Sequence, residues 1–138
     1  MTELLPEYKI SDDKACLDLA WITKMLQASY WASTRSETAI RRSIENSLCY
    51  GVYERASGAQ IGFARIVTDG ATFAWLCDVV IDAGHRNRGL GKRLVEVILS
   101  DSRLNGVTFR LATKDAHSLY ERYGFSREET MRRKKKEA

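Results

Sequence analysis

The chain has 138 residues, of which 44% are hydrophobic and 29% charged, and its formal net charge is +4. This length is enough for one soluble domain with a core of its own. Three of the four surplus positive charges lie in residues 127–138, so the rest of the chain is nearly neutral and does not favour general nucleic-acid binding.

The sequence also disfavours the membrane and secretory classes. Its longest apolar runs, such as residues 79–81, are far too short to cross a bilayer. The first twenty residues carry five acidic side chains and no apolar signal segment, and the three cysteines show no metal-ligand spacing. We therefore expect a cytoplasmic protein with reduced thiols, no metal and no membrane partner.

Helices are predicted where apolar residues recur at three- and four-residue spacing, and strands where β-branched and aromatic residues concentrate. One domain is expected over residues 1–131, followed by a basic, disordered tail over residues 132–138. The resulting order indicates an α+β fold, in which a mixed, mostly antiparallel sheet carries helices on both faces. The elements are a strand at 8–10, helices at 17–28 and 36–46, strands at 48–54, 60–67 and 71–81, a helix at 89–101, a strand at 107–111, a helix at 116–123 and a closing strand at 125–131.

The strongest chemical signal lies between the third long strand and the helix that follows it. The connecting loop contains Gly89 and Gly91, and no acidic residue occurs from 83 to 95. Free N–H groups at a helix start, with a dipole worth about 0.3–1 kcal/mol, suit a polyphosphate. Four basic side chains surround this helix start: Arg86, Arg88, Lys92 and Arg93.

Residue spacing excludes two common phosphate loops. A P-loop would need glycine where Arg86 stands and a hydroxyl where Arg93 stands. A dinucleotide fingerprint would need a third glycine at the position of Leu94, and it would not follow an antiparallel meander.

Two segments resemble the GNAT superfamily of N-acetyltransferases. The sequence Arg86-Asn87-Arg88-Gly89-Leu90-Gly91 is similar to the family's pyrophosphate loop, (R/Q)-x-x-G-x-(G/A), and residues 116–125 are similar to its A-x-x-L-Y-x-x-x-G-F segment. The resemblance extends over residues 8–131, with sharp motifs only between 78 and 125. It implies the GNAT fold and acetyl-CoA as the acyl donor.

The same resemblance implies roles for single residues. Tyr120 matches the tyrosine that commonly protonates the departing CoA thiolate. One departure is Thr113, which stands where the family often has asparagine. Strand residues would pair with the pantetheine arm and loop residues would hold the pyrophosphate; these cofactor-binding residues are Val79, Val80, Ile81, Arg86, Asn87, Arg88, Gly89, Leu90, Gly91 and Lys92.

Acetyl transfer to an amine requires a neutral acceptor nitrogen. An amine with a pKa near 10.4 needs roughly 4–5 kcal/mol to lose its proton at pH 7 without a base. Asp78 is the candidate base, because strand alternation places it on one face with Leu76 and Val80, where an acid can have a raised pKa. Two alternatives remain open: an ordered water as the base, and a structural Asp78 paired with an arginine or backbone amides.

The loop between the first two helices lines the acceptor side in similar proteins. Here it contains Tyr30, Trp31 and Arg35, which would suit a small acceptor with a carboxylate or phosphate. We therefore expect an N-acetyltransferase that moves acetyl to a primary amine by direct attack in a ternary complex, with a small molecule favoured over a protein lysine.

Two rival interpretations come from other classes. A non-catalytic acyl-CoA-binding or regulatory module would keep the loop without the chemistry. A nucleic-acid partner held by residues 132–136 is a weaker alternative. A homodimer is compatible with all of these interpretations.

Overall fold

The computed structural model describes residues 6–135. Five strands and four α-helices alternate in an order close to the predicted one, and three one-turn 3-10 helices at Lys14–Cys16, Ala83–His85 and Ser102–Leu104 were not predicted. The elements are β1 (Tyr8–Ser11), α1 (Leu19–Gln27), α2 (Glu37–Glu45), β2 (Leu48–Glu54), β3 (Gln60–Thr68), β4 (Phe73–Ile81), α3 (Leu90–Leu99), β5 (Thr108–Leu111) and α4 (His117–Glu121).

The strands form one sheet in the order β1-β2-β3-β4-β5. The first three pairings are antiparallel and the β4–β5 pairing is parallel, which confirms the predicted mixed, mostly antiparallel sheet. The β4–β5 ladder ends at the pair Leu76–Leu111, although β4 continues to Ile81. Within residues 6–135, therefore, no strand pairs with the second half of β4 on its β5 side.

Helices cover both faces of the sheet, as predicted. α1 and α2 pack on one face, in a cluster that we call the α1–α2 core: Ile22, Leu26, Ala32, Ile40, Cys49, Phe63 and Val80. α3 and α4 pack on the other face, in a larger cluster that we call the α3–α4 core and that includes Ile66, Leu76, Leu94, Ile98 and Tyr120. Two faces that each bury apolar side chains hold the sheet rigid between two helical layers.

A β-bulge in β4 overturns the predicted neighbours of Asp78. Its φ is 53°, in the left-handed region, and the β3–β4 register shifts at this point. The bulge breaks the strict alternation of side chains, so Leu76 lies in the α3–α4 core while Val80 lies in the α1–α2 core. The expectation that Asp78 shares one face with both residues is therefore wrong.

The predicted closing strand at 125–131 is also wrong, because these residues form neither a strand nor a helix. Arg127, Glu128 and Glu129 are all exposed, and three consecutive charges leave the segment no apolar alternation with which to bury one face. Of the predicted tail, residues 132–135 are exposed, and residues 136–138 lie outside the described part of the chain. No helix within residues 6–135 is both long and apolar enough to cross a membrane.

Candidate active site

A tight turn joins the end of β4 to the predicted phosphate loop. The Asp82 carboxylate accepts a hydrogen bond from the Gly84 N–H at 3.1 Å, and the His85 N–H donates to the Asp82 carbonyl at 2.9 Å. The Arg86 guanidinium donates from Nε to the Ile81 carbonyl at 3.2 Å. These bonds fix the conformation of the chain just before Gly89 and Gly91.

The start of α3 presents backbone donors without acceptors. Gly89, the residue before the helix, has a φ of 76° and offers no side-chain cap. The first helical bond runs from the Arg93 N–H to the Gly89 carbonyl, so the N–H groups of residues 90–92 have no intrahelical acceptor, and no other is found within residues 6–135. A Cβ placed on Gly91 would meet no atom within 4 Å, so the approach is open. This geometry suits an anion.

The charges around this helix start are not neutralised by acids. The side chains of Arg86, Arg88 and Lys92 are exposed, and Arg93 is half-buried. No ion pair found within residues 6–135 involves any of the four. The sequence-predicted loop residues 86–92 thus form one compact positive site at the end of β4.

The unpaired half of β4 leads directly into this site. β3 occupies one edge, with Gly62 opposite Ile81 and Phe63 opposite Val80. On the other edge, β5 has ended, so within residues 6–135 no strand pairs with the backbone groups of residues 78–81 that point that way, and an extended ligand can reach them. The predicted residues Val79, Val80 and Ile81 therefore lie on an edge that is continuous with the phosphate loop.

Tyr120 is held by α4 within the α3–α4 core. Its ring packs edge-to-face against Phe125 at 5.7 Å, and only 8% of the residue is exposed. No hydrogen-bond partner of its hydroxyl is found within residues 6–135. Burial, with a smaller contribution from Asp115, raises the pKa of Tyr120, so the phenol stays protonated at neutral pH.

Tyr120 also lines a cleft of about 880 Å³ between β5, α4 and residues 125–130. Neither the phosphate loop nor the loop between α1 and α2 contributes to its wall. Cleft volume alone therefore does not point to the phosphate loop; the free backbone N–H groups and the unbalanced positive charge do.

Asp78 lies at the centre of a buried charge network. It is 6% exposed, and its Oδ1 accepts from Trp31 Nε1 at 2.9 Å. Its Oδ2 accepts from Arg35 Nη1 at 2.8 Å and from Arg65 Nε at 2.9 Å. Arg65 in turn donates from Nη1 to the Ser47 hydroxyl at 3.1 Å. The carboxylate therefore has the paired environment of a structural acid, which was one of the alternatives open for it.

The three predicted acceptor residues lie together over this network. The rings of Tyr30 and Trp31 are 5.1 Å apart in an edge-to-face arrangement, and they are 57% and 42% exposed. The Arg35 side chain is 26% exposed. Lys114, from the loop after β5, places Nζ 5.1 Å from the Tyr30 ring centroid. Two exposed aromatic rings and two cationic side chains thus face solvent beside the end of the β4–β5 ladder.

Sequence reasoning missed Arg65 and Lys114. The antiparallel pairing of β3 with β4, which puts Arg65 opposite Cys77, was the signal that could have placed Arg65 near Asp78. Lys114 had no signal, because its position depends on how two loops from distant parts of the chain meet.

Comparison with known proteins identifies the family. The family described as "Acetyltransferase (GNAT) domain" matches residues 45–127, more than half of the chain. The protein belongs to the GNAT acetyltransferase family. A solved structure from Xanthomonas campestris pv. campestris, described as a "putative acetyltransferase belonging to the gnat family", is 38% identical with a TM-score of 0.89, and the match covers 94% of each chain.

Two curated relatives agree with this assignment. "Putative acetyltransferase FG08082" of Gibberella zeae is 27% identical over 110 residues, which cover 67% of this chain and 62% of that protein. "Serotonin N-acetyltransferase 2, chloroplastic" of Oryza sativa subsp. japonica is 34% identical over 77 residues, which cover 54% of this chain and 38% of that protein. This chain thus spans less than two thirds of the length of either relative.

The family model matches only part of the candidate site. It includes the β4 edge, the phosphate loop and Tyr120, and it confirms the resemblance inferred from the two motifs. It begins at residue 45, after the loop that carries Tyr30, Trp31 and Arg35. Within residues 6–135, no group of three or more His, Cys, Asp or Glu side chains is arranged to hold a metal ion.

Proposed function

We propose that the protein transfers the acetyl group of acetyl-CoA to a primary amine by direct attack within a ternary complex. The observation that carries this proposal is the continuity of a free strand edge, residues 78–81, with an uncapped helix start at Leu90. A ligand with an extended, amide-bearing arm and a pyrophosphate at one end would satisfy both features.

The chain's own residues would hold such a donor in two places. The N–H groups of residues 88–92, with the charge of Arg86 at the mouth of the loop, would bind the pyrophosphate. The backbone of Val79, Val80 and Ile81 would pair with the pantetheine arm. When acetyl-CoA is bound, its thioester supplies an activated carbonyl near the point where the β4–β5 ladder ends.

Tyr120 would act as the general acid. In the transfer, the C–N bond forms as the C–S bond breaks, and the thiolate needs a proton. A buried phenol with a raised pKa keeps its proton, and a hydroxyl without a protein partner is free to give it away. The phenolate regains its proton from solvent.

Asp78 would position the acceptor loop, and a water would take the proton of the amine. Both oxygens of Asp78 already accept hydrogen bonds, and two guanidinium groups lie against Oδ2. To act as the base, this carboxylate would have to give up charge-assisted bonds that are among the strongest in the fold. Asp78 would instead hold Trp31 and Arg35 in place through the hydrogen bonds that it already accepts.

The acceptor is proposed to be a small amine that carries an anionic group. Arg35, Arg65 and Lys114 against Asp78 leave a local surplus of positive charge, and Tyr30 and Trp31 supply flat apolar walls. The name of the rice relative refers to serotonin, an aromatic amine, so aromatic amines without an anionic group are the natural comparison set.

Release of free thiol from acetyl-CoA with a panel of amines tests this function. We expect turnover with at least one small amine, and a loss of kcat of about 10²-fold in Tyr120→Phe with little change in the KM for acetyl-CoA. Tyr123→Phe is the matched control, because Tyr123 lies three residues further along the chain, in the turn after α4, and is only half-buried. Binding of acetyl-CoA without turnover on any amine would instead favour a non-catalytic acyl-CoA-binding module.

A further inference from the structure

A buried tyrosine on β1 makes contact with the phosphate loop. The Tyr8 hydroxyl lies 2.7 Å from His85 Nδ1 and accepts a hydrogen bond from Arg88 Nη1 at 3.0 Å. The rings of Tyr8 and His85 meet edge-to-face at 5.6 Å. Because the hydroxyl accepts from Arg88, its own proton is available to Nδ1. One phenol thus links two loop residues that lie almost eighty positions away in sequence.

Tyr8 is a rigid anchor for these contacts. It is 1% exposed within the α3–α4 core, and its strand pairs with β2. Its carbonyl also accepts from Arg55 Nε at 3.2 Å. A side chain held by packing and by a strand ladder has one position, so the group that it binds is held in one position as well.

The Arg88 guanidinium is anchored without being neutralised. A guanidinium has five N–H donors, and the Tyr8 hydroxyl uses one of them with no negative charge. Arg86 is held in the same way, by the Ile81 carbonyl. In contrast, five other arginines in the described part of the chain form ion pairs with carboxylates: Arg35, Arg41, Arg65, Arg103 and Arg110. Neutral anchors leave the charge and the remaining donors for an anion.

We propose that Tyr8 is a positioning residue for the pyrophosphate, acting through Arg88. This inference rests on the proposed function, since it assumes that a CoA thioester occupies the loop. Arginine loses much rotamer freedom when it binds a phosphate, and a side chain that is already ordered loses less. Tyr8 therefore strengthens donor binding without touching the donor.

The Tyr8→Phe variant tests the inference, because it keeps the buried ring and removes only the hydroxyl. We expect the Kd for CoA and the KM for acetyl-CoA to rise about 3- to 10-fold while kcat stays unchanged. With S-acetylpantetheine, which lacks the pyrophosphate, kcat/KM should not change. Tyr53→Phe is the matched control, because the Tyr53 hydroxyl is buried and no hydrogen-bond partner for it is found in the described part of the chain.

A double-mutant cycle separates this role from general stabilisation. In an Arg88→Ala background, removal of the Tyr8 hydroxyl should have no further effect on the Kd for CoA. Equal effects of Tyr8→Phe on acetyl-CoA and S-acetylpantetheine, or full additivity with Arg88→Ala, would overturn the inference. If the native protein binds CoA and Tyr8→Phe binds it equally well, the inference fails and the proposed function stands. If the native protein binds no CoA, both fail.

Discussion

Arg35 Nη1 lies 2.8 Å from Asp78 Oδ2, and this ion pair joins the loop after α1 to the bulge of β4. The bulge turns Asp78 toward the α1–α2 face, and the acid meets Trp31 and Arg65 there as well. The loop is thereby fixed against the sheet. The proposed acceptor side and the proposed donor side thus meet at Asp78.

The Asp78→Asn variant should reduce the stability of the fold strongly and kcat only weakly. Asparagine tolerates the left-handed φ of this position, so the backbone survives, but two guanidinium groups lose their counter-charge. We expect the free energy of unfolding to fall by about 2–4 kcal/mol, measured by urea denaturation. Glu37→Gln is the control, because its exposed pair with Arg41 should be worth less than about 0.5 kcal/mol. An Asp78→Asn variant of native stability with kcat reduced 10³-fold would identify Asp78 as the base.

The Arg35→Ala variant should affect the acceptor and not the donor. We expect the KM for an amine carrying a carboxylate or phosphate to rise about tenfold or more, since a charge-assisted contact is lost. The KM for acetyl-CoA and the KM for an aromatic amine without an anionic group should stay within about twofold. Lys114→Ala should act in the same direction, more weakly. An unchanged KM for every anionic acceptor in Arg35→Ala would remove this assignment.

Two alanine substitutions in the loop should change stability in opposite directions. Gly89→Ala puts a Cβ on a residue with a φ of 76°, which costs about 1–2 kcal/mol of stability. Gly91→Ala places alanine in the first turn of α3 with open space around it, and it should stabilise the fold by up to about 1 kcal/mol. Gly89→Ala should also weaken acetyl-CoA binding, because a shift of this backbone would move the N–H groups that follow it. Gly91→Ala should bind acetyl-CoA as well as the native protein does, because the family's loop accepts glycine or alanine at that position. Unchanged acetyl-CoA binding in Gly89→Ala would contradict the proposed position of the pyrophosphate.

Asp101 should contribute to the acid sensitivity of the fold. Its hydrogen bond to Arg103, with a further bond to Tyr50, holds the pKa of Asp101 at about 2, below the usual value near 4. The fold therefore favours the charged carboxylate, and this stabilisation is complete above about pH 4 and lost as the pH falls through 2. After allowance for the exposed Arg103, it is about 1 kcal/mol. Asp101→Asn should lower stability clearly at pH 7 and much less at pH 2, as measured by chemical denaturation at both pH values.

The sequence predicted most of the fold because its strongest local signals agree with the tertiary structure. Ser36 does begin α2, with its hydroxyl accepting from the Ala39 N–H, and the apolar spacing of α3 places Leu94 and Ile98 in the core. The failures concern features with no local signal. Nothing in the residues around Asp78 marks a non-glycine residue with a positive φ, and Phe125 to Met131 contains strand-forming residues but finds no ladder partner.

The candidate site was predictable to the extent that it depends on contiguous residues. The β4 edge and the phosphate loop follow one another in the chain, so a motif was enough to find them. Asp78 was found, but its three donors come from residues 31, 35 and 65, and only the folded chain brings these together. The contact between Tyr8 and Arg88 was unpredictable for the same reason, because only the folded chain brings these two residues together.

The most direct test of the account is a crystal structure of the protein with CoA bound. We predict pyrophosphate oxygens within about 3 Å of backbone nitrogens of residues 88–92. We also predict a pantetheine arm that runs along Val79–Ile81, with its sulfur directed toward the Tyr120 hydroxyl. CoA bound in the cleft between β5, α4 and residues 125–130, with the start of α3 empty, would contradict the account.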